Sequence, residues 1–259
     1  MIIDTNVNIS RWPFRRLAGD ETPDLVARLR KRNVEQAWAG SFDGILHKDI
    51  GGVNARLAAD CRTQGKNLLV PFGSINPKLP GWQEDVRRCH EDYKMPGIRL
   101  HPNYHGYTLA DPAFAELLHL AAGRRLIVQL VLSMEDIRTQ HPLVRVPPLD
   151  VSALPRLIER EPAVRLMLLN WGMALRGQPL KPLLDHGMVC FDISMVEGVE
   201  GIARLVERVS PERVLFGSHF PFFVFEAAVL KMKESGLPEE QQKAVFEGNA
   251  RRMLQRTTA

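Results

Sequence analysis

The chain has 259 residues, 45% of them hydrophobic and 25% charged, which supplies a large buried core and excludes a disordered or low-complexity protein. The formal net charge is +4, but Lys and Arg alternate with Asp and Glu along predicted helices and no basic stripe accompanies the excess, so no nucleic-acid partner is expected. No apolar run approaches the roughly 18 residues of a membrane span, no signal peptide opens the sequence, and Cys61, Cys89 and Cys190 are scattered and odd in number, so a soluble protein of the reducing cytoplasm, with neither disulfides nor a thiolate metal site, is expected.

In chain order, short β-branched apolar runs alternate with longer helical patterns, the mark of repeated βα units. The pattern predicts strands at 1–8, 36–41, 68–75, 97–101, 126–132, 164–170, 188–194 and 213–219. Helices are predicted at 23–32, 52–64, 82–93, 112–123, 151–161, 198–209 and from about Pro238 to Leu254. Eight strand–helix units fit the ~250 residues of a (β/α)₈ TIM barrel, and no linker divides the chain, so 1–259 is predicted as one α/β domain. An open doubly wound sheet would want a glycine-rich turn after the first strand, which Asn8-Ile-Ser-Arg-Trp12 is not. The one long irregular stretch, Arg138–Pro148, is expected at the catalytic rim.

Active sites of such barrels lie at the C-terminal strand ends, where this sequence sets a polar ring. The first strand ends Asp4-Thr5-Asn6-Val7-Asn8, and a period of two puts Asp4, Asn6 and Asn8 on one face. The fourth ends Arg99-Leu100-His101, the sixth at Asn170, the seventh passes Asp192 and the eighth reaches His219. Asn and Asp are depleted in strands. Each alone reads as a strand-end cap; several converging on one rim read as a site.

With these residues in view, the chain resembles the amidohydrolase-related family of the amidohydrolase superfamily, whose members are metal-dependent hydrolases on TIM barrels. The resemblance rests on Ile3-Asp4-Thr5-Asn6-Val7-Asn8 at the start, Gly97-Ile98-Arg99-Leu100-His101-Pro102 in the middle, Gly217-Ser218-His219-Phe220-Pro221 near the end, and Asn249-Ala250-Arg251-Arg252-Met253-Leu254 in the closing helix. It implies a His-x-His pair where Asn6 and Asn8 stand, histidines at or beside Val131 and at Asn170, and an aspartate at His219. Neutral amides are poor zinc ligands. No catalytic metal and no cofactor are therefore expected at the family position, and a relocated metal on His101, His105 and His219 stays open.

The chemistry left is that of side chains. His219 titrates near neutrality unless perturbed and stands at the family's acid/base position, so it is the expected general base. Asn6, Asn8 and Asn170 can polarise a carbonyl or hydroxyl, with Asp192 pairing His219 or an arginine, or holding a loop. Arg99 is the expected clamp for a carboxylate, aided by His101, His105 and Arg15, and Phe220-Pro-Phe-Phe-Val-Phe225 reads as an apolar wall over His219 or as loop packing. The expected function is thus a metal-free hydrolase or lyase of a small anionic substrate, carboxylated or cyclic. The alternative is an inactive barrel that binds a small molecule or serves an assembly. Family members often form dimers, so a homodimer is one expectation of the resemblance.

Overall fold

A computed structural model of the chain describes residues 1–172, 174–175, 177 and 179–255; the predicted domain's last four residues, 256–259, lie outside the described ones. Eight parallel strands, β1 (Ile2–Ile9), β2 (Val34–Ser41), β3 (Leu69–Ser74), β4 (Gly97–Leu100), β5 (Ile127–Val131), β6 (Arg165–Leu169), β7 (Met188–Asp192) and β8 (Val214–Leu215), each pair with the next in chain order. The ring closes through a parallel bridge between Val7 and Phe220, with Thr5 N donating to Phe216 O and Asn8 N to Phe220 O, both at 2.9 Å. This is the predicted (β/α)₈ barrel. Strand β8 is shorter than predicted because Phe216 N donates to Val245 O at 2.9 Å, leaving the sheet for the closing helix. That helix is itself interrupted: Glu239–Lys243 passes through a π-helical turn, Ala244–Gly248, before Asn249–Leu254.

Outer helices follow the predicted pattern closely. Thr22–Lys31, Ile50–Thr63, Trp82–Glu91, Pro112–Gly123, Leu154–Arg160 and Gly201–Val209 bury one face each. The helix predicted from 198 opens at Gly201, since Gly198 and Glu200 take left-handed φ of 87° and 56°. Asp49 caps the helix from Ile50, accepting from Gly52 N at 2.8 Å. Residues 132–153 contain neither helix nor strand, so the long rim loop is wider than Arg138–Pro148. Among the described residues no helix is long and apolar enough to cross a membrane.

Strand alternation divides the core in two. Val7, Ala37, Ile98, Val128, Leu168 and Phe191 join a cluster packed against the helices, while Ile3, Trp38, Phe72, Ile127, Met167, Cys190 and Leu215 form a second cluster lining the barrel. One break in that alternation matters for the site. Between Asp4 and Val7 the register of β1 slips by one residue against Ala37 and Ala39, the signature of a β-bulge. Asp4 therefore pairs with outward-facing Ala37, while Asn8 pairs with Gly40, so the expected single face for Asp4, Asn6 and Asn8 does not form.

Inside the barrel, Ser74, Arg99, Gln129, Met167 and Cys190 are register partners on successive strands. An arginine there needs space, and Gly40 provides it: a Cβ at residue 40 would lie 2.7 Å from Arg99 Cδ and 2.8 Å from Nη1. Gly40→Ala is expected to destabilise the protein by about 1–3 kcal/mol through overpacking, read as a lower urea midpoint at unchanged slope; an unchanged midpoint would show that Arg99 has another way to lie.

Candidate active site

The mouth of the barrel is organised by three buried ionisable groups. Arg99, 1% exposed, donates from Nε to Gln129 Oε1 at 2.8 Å, from Nη1 to Val7 O at 2.8 Å and Asn8 Oδ1 at 2.9 Å, and from Nη2 to Trp38 O at 3.0 Å. A guanidinium has five N–H groups, so four are committed inside the protein. Burial lowers its pKa to about 9 despite the opposing pull of Asp4 and Asp192. Arg99 is thus an internal post that fixes Asn8, β1 and β2, and its orientation differs from that of an open anion clamp.

Asp4 and Asp192 flank Asn6. Asp4 accepts from Ser218 N at 3.0 Å, Asn6 N at 3.1 Å and Ser218 Oγ; burial outweighs these bonds and raises its pKa to about 7. Asn6 Nδ2 donates to both Asp192 Oδ2 and Asn170 Oδ1 at 2.8 Å, and Asp192 Oδ1 receives Asn170 N at 3.0 Å. Burial also raises the Asp192 pKa, against hydrogen bonds from Ser194 and Asn6. Asp192 therefore partners two asparagines, where the sequence left His219 or an arginine open. Gly217 lets the strands close here: a Cβ on it would sit 3.0 Å from the Cβ atoms of Asn6 and Asp192.

Asn170, directly after β6, and His219, four residues beyond β8, take left-handed φ of 55° and 58°, a conformation in which Asn and His are among the enriched non-glycine residues. Asn170 Nδ2 donates to Ser133 O at 2.8 Å, and Ser194 Oγ donates to Asn170 Oδ1 at 2.8 Å. His219 Nε2 lies 2.7 Å from Met134 O, which makes Nε2 the N–H and Nδ1 the lone pair. Both ring nitrogens lie 3.5 Å from Asn170 Nδ2. Full burial drives the His219 pKa down to about 4, so the ring is neutral at pH 7.

An aromatic lid covers this network. Trp12 is its hub, with ring centroids 5.3 Å from Phe14, 5.4 Å from Phe42, 6.3 Å from Tyr104 and 4.9 Å from Phe222. Phe222 stacks on His219 at 5.0 Å and Phe223 meets it edge-on at 5.3 Å, so part of the expected apolar wall is formed. Phe220 and Phe225 pack instead with the outer core. Arg15 lies 5.4 Å over Phe222 and pairs with Glu135 at 2.7 Å, bridging the first loop to the long fifth one. His105 lies at the end of a short helix, its Nε2 2.9 Å from Gly44 O, and His101 is wholly buried with its pKa pushed well below normal by burial and nearby His105, Arg99 and His219.

Beside the network opens a cavity of about 830 Å³ between the loops after β5 to β8. Ser133, Trp171, Ser194 and Phe223 separate it from Asn170 and His219, and Lys231 reaches it while donating to the carbonyls of Ser194 and Ile193. Gln129, Ser133, Ser194 and Trp12 are structural members of the site that the sequence reading missed. Gln129 had a signal, being the lone polar residue in the apolar run Leu126–Leu132.

The family's metal seats can be tested on this donor set. Asn6 turns its N–H groups toward the centre, Asn8 spends its oxygen on a guanidinium, Val131 has no donor atom, and Asn170 Oδ1 already receives two hydrogen bonds. Amide N–H groups and an adjacent cation do not suit a divalent metal ion. Among the described residues no group of three His, Cys, Asp or Glu side chains is arranged to hold one, so His101, His105 and His219 do not converge as a relocated set.

A family model described as amidohydrolase matches residues 9–256. Among solved structures, 2,6-dihydroxybenzoate decarboxylase from Rhizobium superposes with a TM-score of 0.74 at 12% identity, covering 98% of both chains. Dihydroxybenzoic acid decarboxylase from Polaromonas sp. JS666, solved with bound manganese and 2-nitroresorcinol, gives 0.77 at 13% identity over 98% of this chain and 96% of its own. 4-Oxalomesaconate hydratase from Rhodopseudomonas palustris gives 0.74 at 15% identity over 98% and 95%. At such identities the likeness establishes the fold. No curated protein matches by sequence.

The buried groups make opposing pH contributions. Below the unfolded pKa of 6.5 an unfolded His219 takes up a proton that the folded ring refuses until about pH 4, so its contribution falls as pH drops through that window. Asp4, held near 7 when folded and at 3.8 when unfolded, contributes the reverse slope. His219→Asn, which tolerates the left-handed backbone, is expected to gain about 2 kcal/mol relative to the native chain between pH 7 and pH 5. Denaturant unfolding at both pH values checks this; parallel pH curves would mean that His219 is not held neutral.

Proposed function

The chain belongs to the amidohydrolase family, and we propose that it works there as a metal-independent hydrolase or lyase on a small carboxylated substrate. His219 is the proton carrier. With Nε2–H committed to Met134 O, its Nδ1 is left as the acceptor for a substrate proton, with Asn170 adjacent. The observation that carries this reading is the tautomer: a backbone carbonyl orients a neutral imidazole beside an interlocked amide network, the arrangement a general base needs.

In this reading the substrate enters through the cavity beside the network. Displacement of Phe223 and of the Ser133 carbonyl, with Met134 O kept on His219, brings it against His219 and frees an Asn170 N–H to stabilise developing negative charge on oxygen, while Asn6, both of whose amide N–H groups are committed, keeps Asn170 in place. Asp192 keeps both amides aligned. Arg99 and Asn8 hold the floor and supply positive potential. Arg15 meets the substrate carboxylate by exchanging its Glu135 partner, whose side chain lines that cavity, while His101 and His105 lie beyond β4, outside the cavity's lining. The structural relatives support the substrate class: two are named for dihydroxybenzoate decarboxylation and one for oxalomesaconate hydration. Among the described residues no donor set matches the manganese of one of them, and this reading routes no step through a metal. The aromatic lid excludes water, which strengthens the electrostatics of the closed site.

A second reading is favoured by one observation. Asn6, Asn170 and His219 are 1%, 0% and 0% exposed, which suits a barrel that binds a ligand in the neighbouring cavity without reacting with it. One assay separates the two: turnover of hydroxylated benzoates, lactones and amides at neutral pH by chelator-treated protein. The enzyme reading expects turnover that survives chelation and falls by about 10²–10⁴-fold in His219→Asn. Turnover abolished by chelation contradicts it, and saturable binding without turnover establishes the second reading.

A further inference from the structure

Away from Asn6 and Asn170, the mouth holds a group of buried polar atoms that no protein partner satisfies. Ser74 and Arg99 are register partners on β3 and β4, and His101 lies two residues beyond Arg99. The short helix Pro102–His105 folds His105 back, placing its ring 6.1 Å from that of His101. Gly44 joins the group: its carbonyl receives His105 Nε2, and a Cβ on it would lie 1.9 Å from Ser74 Oγ. Ser74 Oγ, His101 Nδ1 and His101 Nε2 are all buried without a hydrogen-bond partner in the protein. The Trp12 Nε1 donor in the lid is in the same condition.

An unsatisfied buried polar atom costs roughly 1–3 kcal/mol, so three on neighbouring side chains mark a site built for an occupant. The inventory defines its chemistry. His105 lies against two backbone carbonyls, those of Gly44 and Ile75, so its ring is held by the protein and adjoins the group. His101, when neutral, offers one donor and one acceptor, and the Ser74 hydroxyl can do either. Burial holds both histidines well toward the neutral form in the free protein. We infer that Ser74 and His101, with His105 packed beside them, form a specificity pocket for an uncharged substrate group that both donates and accepts hydrogen bonds, a hydroxyl or a primary carboxamide. This deepens the proposed function and rests on its reading of the barrel mouth as a ligand site; the substrate's carboxylate then lies elsewhere in the mouth.

The atoms concerned stabilise nothing in the free protein, which separates a binding role from a structural one. Ser74→Ala and His101→Phe are expected to leave the urea midpoint unchanged or higher, since each removes an unpaired polar group. Phenol and benzamide, titrated into native protein labelled with ¹⁵N-histidine, are expected to shift the His101 and His105 nitrogens and to bind at least 10-fold more tightly than benzoate. Either variant is expected to weaken the better probe at least 10-fold. Phenol alone binding assigns a hydroxyl, and benzamide alone a carboxamide. Benzoate binding as tightly as the neutral probes, no shift with either of them, unaltered affinity in both variants, or a stability loss in both, would overturn the inference. None of these readouts involves turnover, so an inactive protein that binds the neutral probes would reject the enzyme reading and leave this pocket standing.

Discussion

Burying Arg99, Asp4 and Asp192 inside a barrel is the constraint from which the rest of the mouth follows. An isolated buried charge costs several kcal/mol, and only dense hydrogen bonding makes it tolerable. Here the three groups do not touch one another. They are joined by neutral residues: Asn8 and Gln129 on the guanidinium, Asn6 and Asn170 on Asp192, and Ser218 on Asp4. The asparagines at the family's ligand positions are therefore occupied by their neighbours. An amide both donates and accepts, so Asn170 can take a hydrogen bond from Asn6 and give one to Ser133 O where an imidazole lone pair would hold a cation.

Glycine and backbone geometry make that linkage possible. Gly40 admits the arginine stem and Gly217 admits the Asn6–Asp192 contact, while the bulge in β1 separates Asp4 from Asn8. Asp4 then braces the turn into His219, since Ser218 gives it both its N–H and its hydroxyl and accepts from Phe220 N. The same turn carries Phe222 over the imidazole, so the orientation of His219, the closure of the barrel and the seat of the lid are set by one short segment.

Much of this was legible in the sequence, for physical reasons. Strand and helix positions followed from hydrophobic period, and the rim residues stood out because Asn6, Asn8, Asn170 and His219 are unusual at strand ends. The orientation of Arg99 was not legible, because a cation two residues before a strand-end histidine can point to a ligand or to internal carbonyls, and Gly40, 59 positions earlier in the chain, decides which. The face of Asp4 was lost because a one-residue bulge leaves no mark in a periodic pattern. The roles of Ser133, Ser194 and Trp12 depend on contacts between distant loops, and Asn170 serves both a left-handed backbone and the network, two causes that its identity alone cannot separate.

Replacement of a cation site by a closed amide network is the central claim, and manganese binding tests it most directly. Electron paramagnetic resonance of manganous ion titrated into metal-stripped protein counts bound and free ion without reference to activity. The account expects the free-ion spectrum throughout, the same for the native chain and for Asn6→Leu. A stoichiometric bound ion that disappears in Asn6→Leu would contradict it, because the amide of Asn6 would then be turning its oxygen to a metal and not its N–H groups to Asp192 and Asn170.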